Sequence, residues 1–155
     1  MADSTVKAPS GNVPAPLNAM MTFFLKTPVL QKRIGKYVAL LTFTGRRSGR
    51  QYTIPVSYQQ RDNSVLMLTT KARSWWRNFE DEPEVELRLA GQTRTGTAEA
   101  HVGTDADLDE AIGFFTSRPR DAQAHGVGML SNGSPDPEDV KTLLPLIVLV
   151  NVDVH

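Results

Sequence analysis

The residues with the clearest capacity for chemistry form a short basic segment between two apolar runs. Gly45 and Gly49 bracket this segment, and glycine supplies the backbone freedom that a tight turn needs. The segment also carries three guanidinium groups and one hydroxyl, from Arg46, Arg47, Arg50 and Ser48. Guanidinium groups bind phosphate and carboxylate oxygens, and turn amides add further donors. The segment therefore predicts a site for an anionic ligand, with a solvated turn that keeps a hairpin soluble as the alternative.

The runs on either side of this basic turn predict a β-hairpin. Val38 to Phe43 is an apolar run of strand length. From Tyr52 to Tyr58 apolar and polar residues alternate, which is the two-residue period of a strand with one buried face. The hairpin would hold the cationic side chains at its tip.

Further strands and helices are expected along the rest of the chain. Alternation and apolar runs predict strands over 65–68, 85–89, 93–102 and 146–154. Ser74 and Thr104 are expected to cap helices, and a third helix is expected over Pro137–Leu143. Residues 117–136 are rich in Pro, Gly and Ser and are expected to be irregular. Strands outnumber helices, which favours a small antiparallel barrel with helices around it.

Three later motifs follow the hairpin in a fixed order. They are Thr69-Thr70-Lys71, Trp75-Trp76-Arg77-Asn78 and Glu82-Pro83-Glu84-Val85. Together with the Thr-Gly-Arg-Arg-Ser-Gly stretch and the Pro that follows it, they resemble the deazaflavin (F420)-dependent nitroreductase family. That family is a branch of the split β-barrel flavin and deazaflavin oxidoreductases. The resemblance covers about residues 17–102 well and the rest loosely.

The resemblance implies a mainly β fold with flanking helices, a split antiparallel β-barrel of the FMN-binding, PNP-oxidase-like kind. It implies an oxidoreductase that transfers hydride from reduced coenzyme F420 to a quinone, an enone or a nitroaromatic acceptor. The coenzyme's tail bears a phosphate and glutamates, which suits a cationic turn. The alternatives are an FMN-binding reductase on the same fold and a non-catalytic protein that binds a fatty acid or another apolar ligand.

The resemblance also implies which residues hold the cofactor. They are Arg46, Arg47, Ser48, Gly49, Arg50, Ile54, Pro55, Val56, Lys71, Arg73, Trp75, Trp76 and Asn78. Adjacent helical residues cannot share a face, so we expect one of the two tryptophans to be a core residue. Lys71 and Arg73 as surface charges, and Asn78 as a turn or cap residue, are the alternatives.

An apolar substrate pocket is expected beside the cofactor. Met20, Met21 and Phe24 recur at helical spacing after Pro16 and predict an N-terminal helix that covers this pocket. Phe114 and Phe115 are the other candidates for its lining. The alternative for the helix is ordinary packing on the barrel.

Composition limits what the protein can do without a cofactor. The chain has 155 residues and no cysteine, which excludes disulfides and thiol nucleophiles. The three histidines are scattered without metal-ligand spacing, so no metal is expected, and no serine-nucleophile or nucleotide-binding motif is present. No catalytic side chain is identified, and a cofactor is expected to supply the chemistry.

The domain organisation and partners are predicted from length and charge. Residues 1–13 are polar and rich in Pro and Gly, which predicts a flexible tail before a single domain over 14–155. Residues 1–50 hold eight Lys and Arg against one acidic residue. This basic third favours an anionic ligand, or peripheral membrane contact through the N-terminal helix, while no nucleic-acid module is present. A cytoplasmic protein is expected; its oligomeric state is left open.

Overall fold

The computed structural model describes residues 36–155, and these residues are built around one antiparallel sheet of seven strands. The strands are β1 (Val38–Thr44), β2 (Gln51–Ser57), β3 (Gln59–Arg61), β4 (Ser64–Thr70), β5 (Glu84–Leu89), β6 (Gln92–Val102) and β7 (Ile147–Val154). The helices are α1 (Leu108–Ser117), α2 (Pro119–Ala124) and α3 (Pro137–Leu143). Short 3₁₀ segments cover Trp75–Phe79, Asp105–Asp107 and Leu144–Leu146.

The strand order forces the sheet to curl. The order is β2-β1-β5-β6-β7-β4-β3, so β2 and β3 lie at opposite edges. In a flat sheet these edges would be roughly 29 Å apart. Only Tyr58 separates the two strands in the chain, so the edges must meet at that residue. The sheet therefore bends into the split antiparallel barrel that the sequence predicts.

Arg118 fastens the chain at this closure. Its guanidinium donates hydrogen bonds to the carbonyl of Tyr58, to the carbonyl of Lys36 at 3.0 Å and to that of Ser117 at 2.9 Å. It also lies over the ring of Tyr37, 5.0 Å from the centroid. The Tyr58 ring is buried, and this burial raises the pKa of its hydroxyl although the Arg118 charge opposes the shift.

Alternation along the strands separates two hydrophobic cores. Leu66 and Met67 are neighbours in β4, yet Met67 points into the barrel and Leu66 points outward. The barrel core includes Leu41, Met67 and Val150. The second core lies between the outer face of β4 and β7 and the helices, and it includes Leu66 and Val140. One face of the sheet therefore lines the interior of the barrel. Part of the outer face is covered by the helices.

The predicted strands and two of the predicted helices are confirmed, while two elements were missed. The predicted strand from Tyr52 to Tyr58 does not include β3, which is a separate strand after Tyr58. It also treated residues 117–136 as irregular, whereas Pro119–Ala124 is helical. Pro119 occupies the first turn of α2, where proline is tolerated because its missing N–H would have no helical partner. Ser74 precedes the 3₁₀ segment but makes no capping hydrogen bond through its side chain.

The N-terminal predictions lie outside the described residues. They are the tail over 1–13, the helix with Met20, Met21 and Phe24, and the membrane contact of that helix. Within residues 36–155, no helix has the length and apolar character that a membrane span requires.

A capping arrangement begins the helical segment after β6, as predicted for Thr104. The Asp107 carboxylate accepts hydrogen bonds from the Thr104 backbone N–H at 2.8 Å and from the Thr104 hydroxyl at 3.2 Å. The His101 ring lies 3.0 Å from the same carboxylate. Burial alone would raise the pKa of Asp107, but the Thr104 and His101 interactions outweigh it and the pKa is lowered.

We expect Asp107→Ala to lower the free energy of unfolding by about 1 kcal/mol at neutral pH. Asp105→Ala, at an exposed acidic residue of the same turn, should cost only about 0.3 kcal/mol. A carboxylate whose folded pKa is lowered stabilises the fold above its unfolded pKa of about 3.9, and this contribution is lost as the pH falls through the folded pKa. Urea unfolding of both variants from pH 7 to pH 3 should therefore show the Asp107 difference shrinking in acid. A difference that is constant with pH would contradict this assignment.

Candidate functional site

The basic turn between β1 and β2 has a defined backbone shape. The Gly45 N–H donates to the Arg50 carbonyl at 2.7 Å, and the Gly49 N–H donates to the Gly45 carbonyl at 2.8 Å. Gly49 has a φ of +72°, which favours glycine. A Cβ on Gly45 would lie 2.7 Å from the Tyr52 ring and 2.8 Å from the Ser48 hydroxyl. Both glycines are therefore needed for this turn.

Asn78 ties the basic turn to the 3₁₀ segment Trp75–Phe79. Its side-chain oxygen accepts a hydrogen bond from the Arg46 backbone N–H at 2.8 Å. Its side-chain nitrogen donates to the Trp75 carbonyl at 2.8 Å. The Arg46 guanidinium adds an ion pair to Glu80 at 2.6 Å, just beyond the same segment. The structure thus brings together two motifs that are 32 residues apart, and Asn78 acts there as a brace.

The cations of the site differ in how they are paired. Arg46 is engaged by Glu80, although both side chains are largely exposed. The side chains of Arg47, Arg50 and Lys71 are exposed and have no hydrogen bond or ion pair with the described residues 36–155. Exposed cations without partners are available to an anion at little desolvation cost. Lys71 and the half-buried Arg73 lie in the loop that leads from β4 into the 3₁₀ segment.

The two tryptophans have different environments. Trp75 is only 4% exposed and packs in the barrel core, with its ring centroid 6.4 Å from Phe43 and 5.7 Å from Phe79. It is the core member of the pair, and its contact with the cofactor stays a prediction. Trp76 is half-buried, and Arg77 lies over its ring. The indole N–H of Trp76 is buried and finds no acceptor among residues 36–155. Such a donor costs free energy unless a ligand satisfies it.

Strand β2 offers an open edge beside these groups. Within residues 36–155 it pairs with β1 on one side only, with Leu41 opposite Ile54 and Leu40 opposite Pro55. Ile54 points into the barrel core and the half-buried Val56 packs against the same core, whereas the half-buried Pro55 lies on the opposite face of the strand. Proline is compatible with an edge strand because it has no N–H to donate to a neighbour. The backbone of β2 is therefore available along this edge.

A cavity of about 620 Å³ lies at the far end of β2. Its lining comprises Tyr37, Val38, Ser57, Ser117, Arg118, Pro119, Arg120 and Asp121. The Ser57 hydroxyl donates to the Asp121 carboxylate at 3.2 Å, which links the end of β2 to the start of α2. Sequence reasoning missed these residues because α2 was not predicted. The sequence feature that could have indicated α2 is Pro119 between Arg118 and Arg120, because proline is frequent at the first position of a helix.

The two phenylalanines expected at the substrate pocket lie away from the cavity at the end of β2. Phe114 and Phe115 were expected to line the substrate pocket, but they are 1% and 0% exposed. Both belong to the core between the helices and the outer face of the sheet. They lie on α1, whose apolar face packs against that surface. Their spacing in the sequence correctly indicates the apolar face of a helix. It does not indicate which core that face packs against.

This arrangement agrees with the sequence family. The model of the F420H2-dependent quinone reductase family matches residues 24–122, more than half of the chain. The chain belongs to this family. The match includes the basic turn, the 3₁₀ segment and the start of α2, and it confirms the resemblance to the deazaflavin oxidoreductases. No curated protein sequence matches the chain.

Solved structures support the fold. An FMN-binding protein related to pyridoxamine 5'-phosphate oxidase, from Nostoc punctiforme, has a TM-score of 0.51 and 15% identity, over 92% of this chain and 83% of its own. An FAD-binding protein from Mesorhizobium loti has a TM-score of 0.50 and 10% identity, over 82% of this chain and 85% of its own. At these identities the similarity establishes the split-barrel fold alone.

Removal of the brace should destabilise the protein. We expect Asn78→Ala to lower the free energy of unfolding by about 2 kcal/mol, because it deletes one hydrogen bond to the basic turn and one within the 3₁₀ segment. Gln123→Ala is the control, since it removes an exposed amide on α2 that has no side-chain hydrogen bond within residues 36–155. Urea denaturation followed by tryptophan fluorescence measures both. Equal stabilities of the two variants would show that Asn78 is not a brace.

Proposed function

We propose that the protein binds coenzyme F420 along β2 and reduces a small apolar acceptor held in the cavity. One observation carries this proposal: a single open-edged strand joins unpaired cations at one end to an apolar cavity at the other. The seven residues of β2 span about 23 Å. That length suits an extended ligand with an anionic tail at the turn and a flat ring near Val56 and Ser57.

Each part of this surface has a role in the proposed complex. Arg47 and Arg50, with Ser48, bind the phosphate and carboxylates of the tail. The half-buried Pro55 and Val56 support the ring, and the buried N–H of Trp76 donates to a polar atom of the cofactor. The cavity wall excludes water from the acceptor. The groups of the site that have no partner within residues 36–155 support these assignments.

The reaction is a two-electron reduction of a quinone, an enone or a nitroaromatic compound. When bound, the reduced coenzyme supplies a hydride to the acceptor, and a proton from solvent completes the reduction of a quinone to a hydroquinone. The chain's own contribution is to orient the acceptor beside the ring and to lower the free energy of negative charge that develops on the acceptor oxygen. Arg118 contributes a positive charge at the cavity wall.

FMN is the second candidate cofactor, and the FMN-binding neighbour in fold favours it. FMN carries one phosphate, whereas the turn and the loop before the 3₁₀ segment offer three unpaired cations among the described residues. This excess of positive charge favours the longer, polyanionic tail of F420. A non-catalytic protein that holds an apolar ligand in the cavity is the third candidate.

Titration separates these candidates. Oxidised F420 and FMN are added separately to the purified full-length protein while the quenching of tryptophan fluorescence is followed. We expect F420 to bind tighter than FMN, and reduced F420 to be reoxidised when menadione is added. Tight binding of FMN without binding of F420 would contradict the proposal and identify FMN as the cofactor. Binding of neither, with a fatty acid present in the purified protein, would establish the non-catalytic candidate.

The unpaired arginines should dominate the affinity for the tail. We expect the double variant Arg47→Ala/Arg50→Ala to weaken F420 binding about tenfold at low salt and to reduce its salt dependence. A matched control removes two exposed cations far from the turn, Arg94 on β6 and Lys141 on α3. Dissociation constants at 50 and 500 mM salt test this. An unchanged salt dependence in the turn variant would remove the two arginines from the site.

Glu80 should oppose anion binding, because it pairs with Arg46 and adds a negative charge beside the turn. We therefore expect Glu80→Gln to strengthen F420 binding roughly threefold at low salt, with the gain lost at high salt. Glu138→Gln, at an exposed glutamate of α3, is the control. The same fluorescence titration measures it. Weaker binding by Glu80→Gln would indicate that the pair holds Arg46 in its binding position.

A further inference from the structure

We propose that the cavity at the end of β2 selects an acceptor that carries a negatively charged group, and that Arg120 binds this group. The ligand would be a flat apolar molecule with a carboxylate at one end. This inference deepens the proposed function by naming a substrate class, and its redox part rests on that function. The binding preference itself can be measured without the cofactor.

The cavity combines an apolar wall with charges at one side. Tyr37, Val38 and Pro119 provide the apolar part, and the Tyr37 ring is 52% exposed. An exposed ring beside a cavity of this size is a surface on which a flat molecule can stack. The volume of about 620 Å³ suits a ligand of two or three fused rings. The apolar wall alone would accept neutral and acidic molecules equally.

The charged groups of the lining are two guanidiniums and one carboxylate. The terminal nitrogens of Arg118 donate to the carbonyl oxygens of Lys36, Tyr58 and Ser117, and its Nε–H is buried without an acceptor among residues 36–155. Its positive charge has no carboxylate partner among these residues. The Asp121 carboxylate already accepts the Ser57 hydroxyl. The lining is therefore positive by one charge, and this favours an anion over a neutral or cationic ligand.

Arg120 is the member of this set that is available to a ligand. Its side chain is exposed and forms no hydrogen bond or ion pair with the described part of the chain. Arg118, two residues earlier, uses its two terminal nitrogens in the closure of the barrel, and its Nε–H is buried, so it cannot turn to a ligand without breaking those hydrogen bonds. Because Arg120 is exposed, it would bind the charged end of a molecule whose apolar body lies against Tyr37 and Pro119.

The test uses two probes of equal ring structure: 3-(1,4-naphthoquinon-2-yl)propanoate and its methyl ester. Calorimetry measures the binding of each to the cofactor-free protein, and turnover of reduced F420 measures each as an acceptor. We expect the wild-type protein to prefer the acid, and Arg120→Gln to weaken acid binding roughly tenfold while leaving the ester unchanged. Arg94→Gln on β6 is the control and should change neither.

The outcomes separate this inference from the proposed function. Equal binding of acid and ester by the wild-type protein, or an equal loss of both in Arg120→Gln, would overturn the inference. Selective acid binding without turnover of either quinone would support the inference and refute the redox function. Turnover of both quinones at the same efficiency would support the function and overturn the inference. Thermal unfolding of each variant checks that the exposed substitution leaves the fold intact.

Discussion

The meeting of β2 and β3 at Tyr58 is the constraint on which the rest of the structure depends. Two strands at opposite edges of one sheet are joined through a single residue, so the sheet must close there. Arg118 makes this closure specific, because it gathers three backbone carbonyls from the segment before β1, the β2–β3 corner and the end of α1. This partly buried cation keeps its carbonyl partners only when all three segments are in place.

The closure also explains where the candidate site lies. Among residues 36–155 it leaves β2 as an edge strand with one side unpaired, and it positions α2 against the end of that strand through Ser57 and Asp121. At the other end, Asn78 holds the basic turn against the 3₁₀ segment. Both ends are thus fixed by contacts distant in sequence, so little ordering is left to be done when a ligand binds. A preformed surface of this kind binds with a smaller entropy cost than a mobile one.

The local features of the fold could be predicted from the sequence, whereas those set by distant contacts could not. The hairpin around Gly45 and Gly49 and the alternation in β5 are encoded by neighbouring residues. The sequence pattern also indicated that one of the two tryptophans is buried, but not which one. Which core receives Phe114 depends on how the sheet curls, and that depends on Tyr58 and Arg118. Residues that close a barrel carry no local periodicity, so pattern analysis cannot detect them.

Arginines close together in the sequence can serve opposite purposes, and their partners decide which. Arg118 has its charge enclosed by carbonyls and contributes to the closure, while Arg120, beyond Pro119, faces solvent at the cavity. The basic turn shows the same division, since Arg46 is paired to Glu80 and its neighbour Arg47 is not. In each pair, the arginine that has partners holds the local backbone in place. The neighbouring arginine, which has no partner among residues 36–155, is then positioned to bind an anion. The free cations at both ends of β2 therefore depend on engaged ones beside them, and affinity for an anion at either end is coupled to the stability of the barrel.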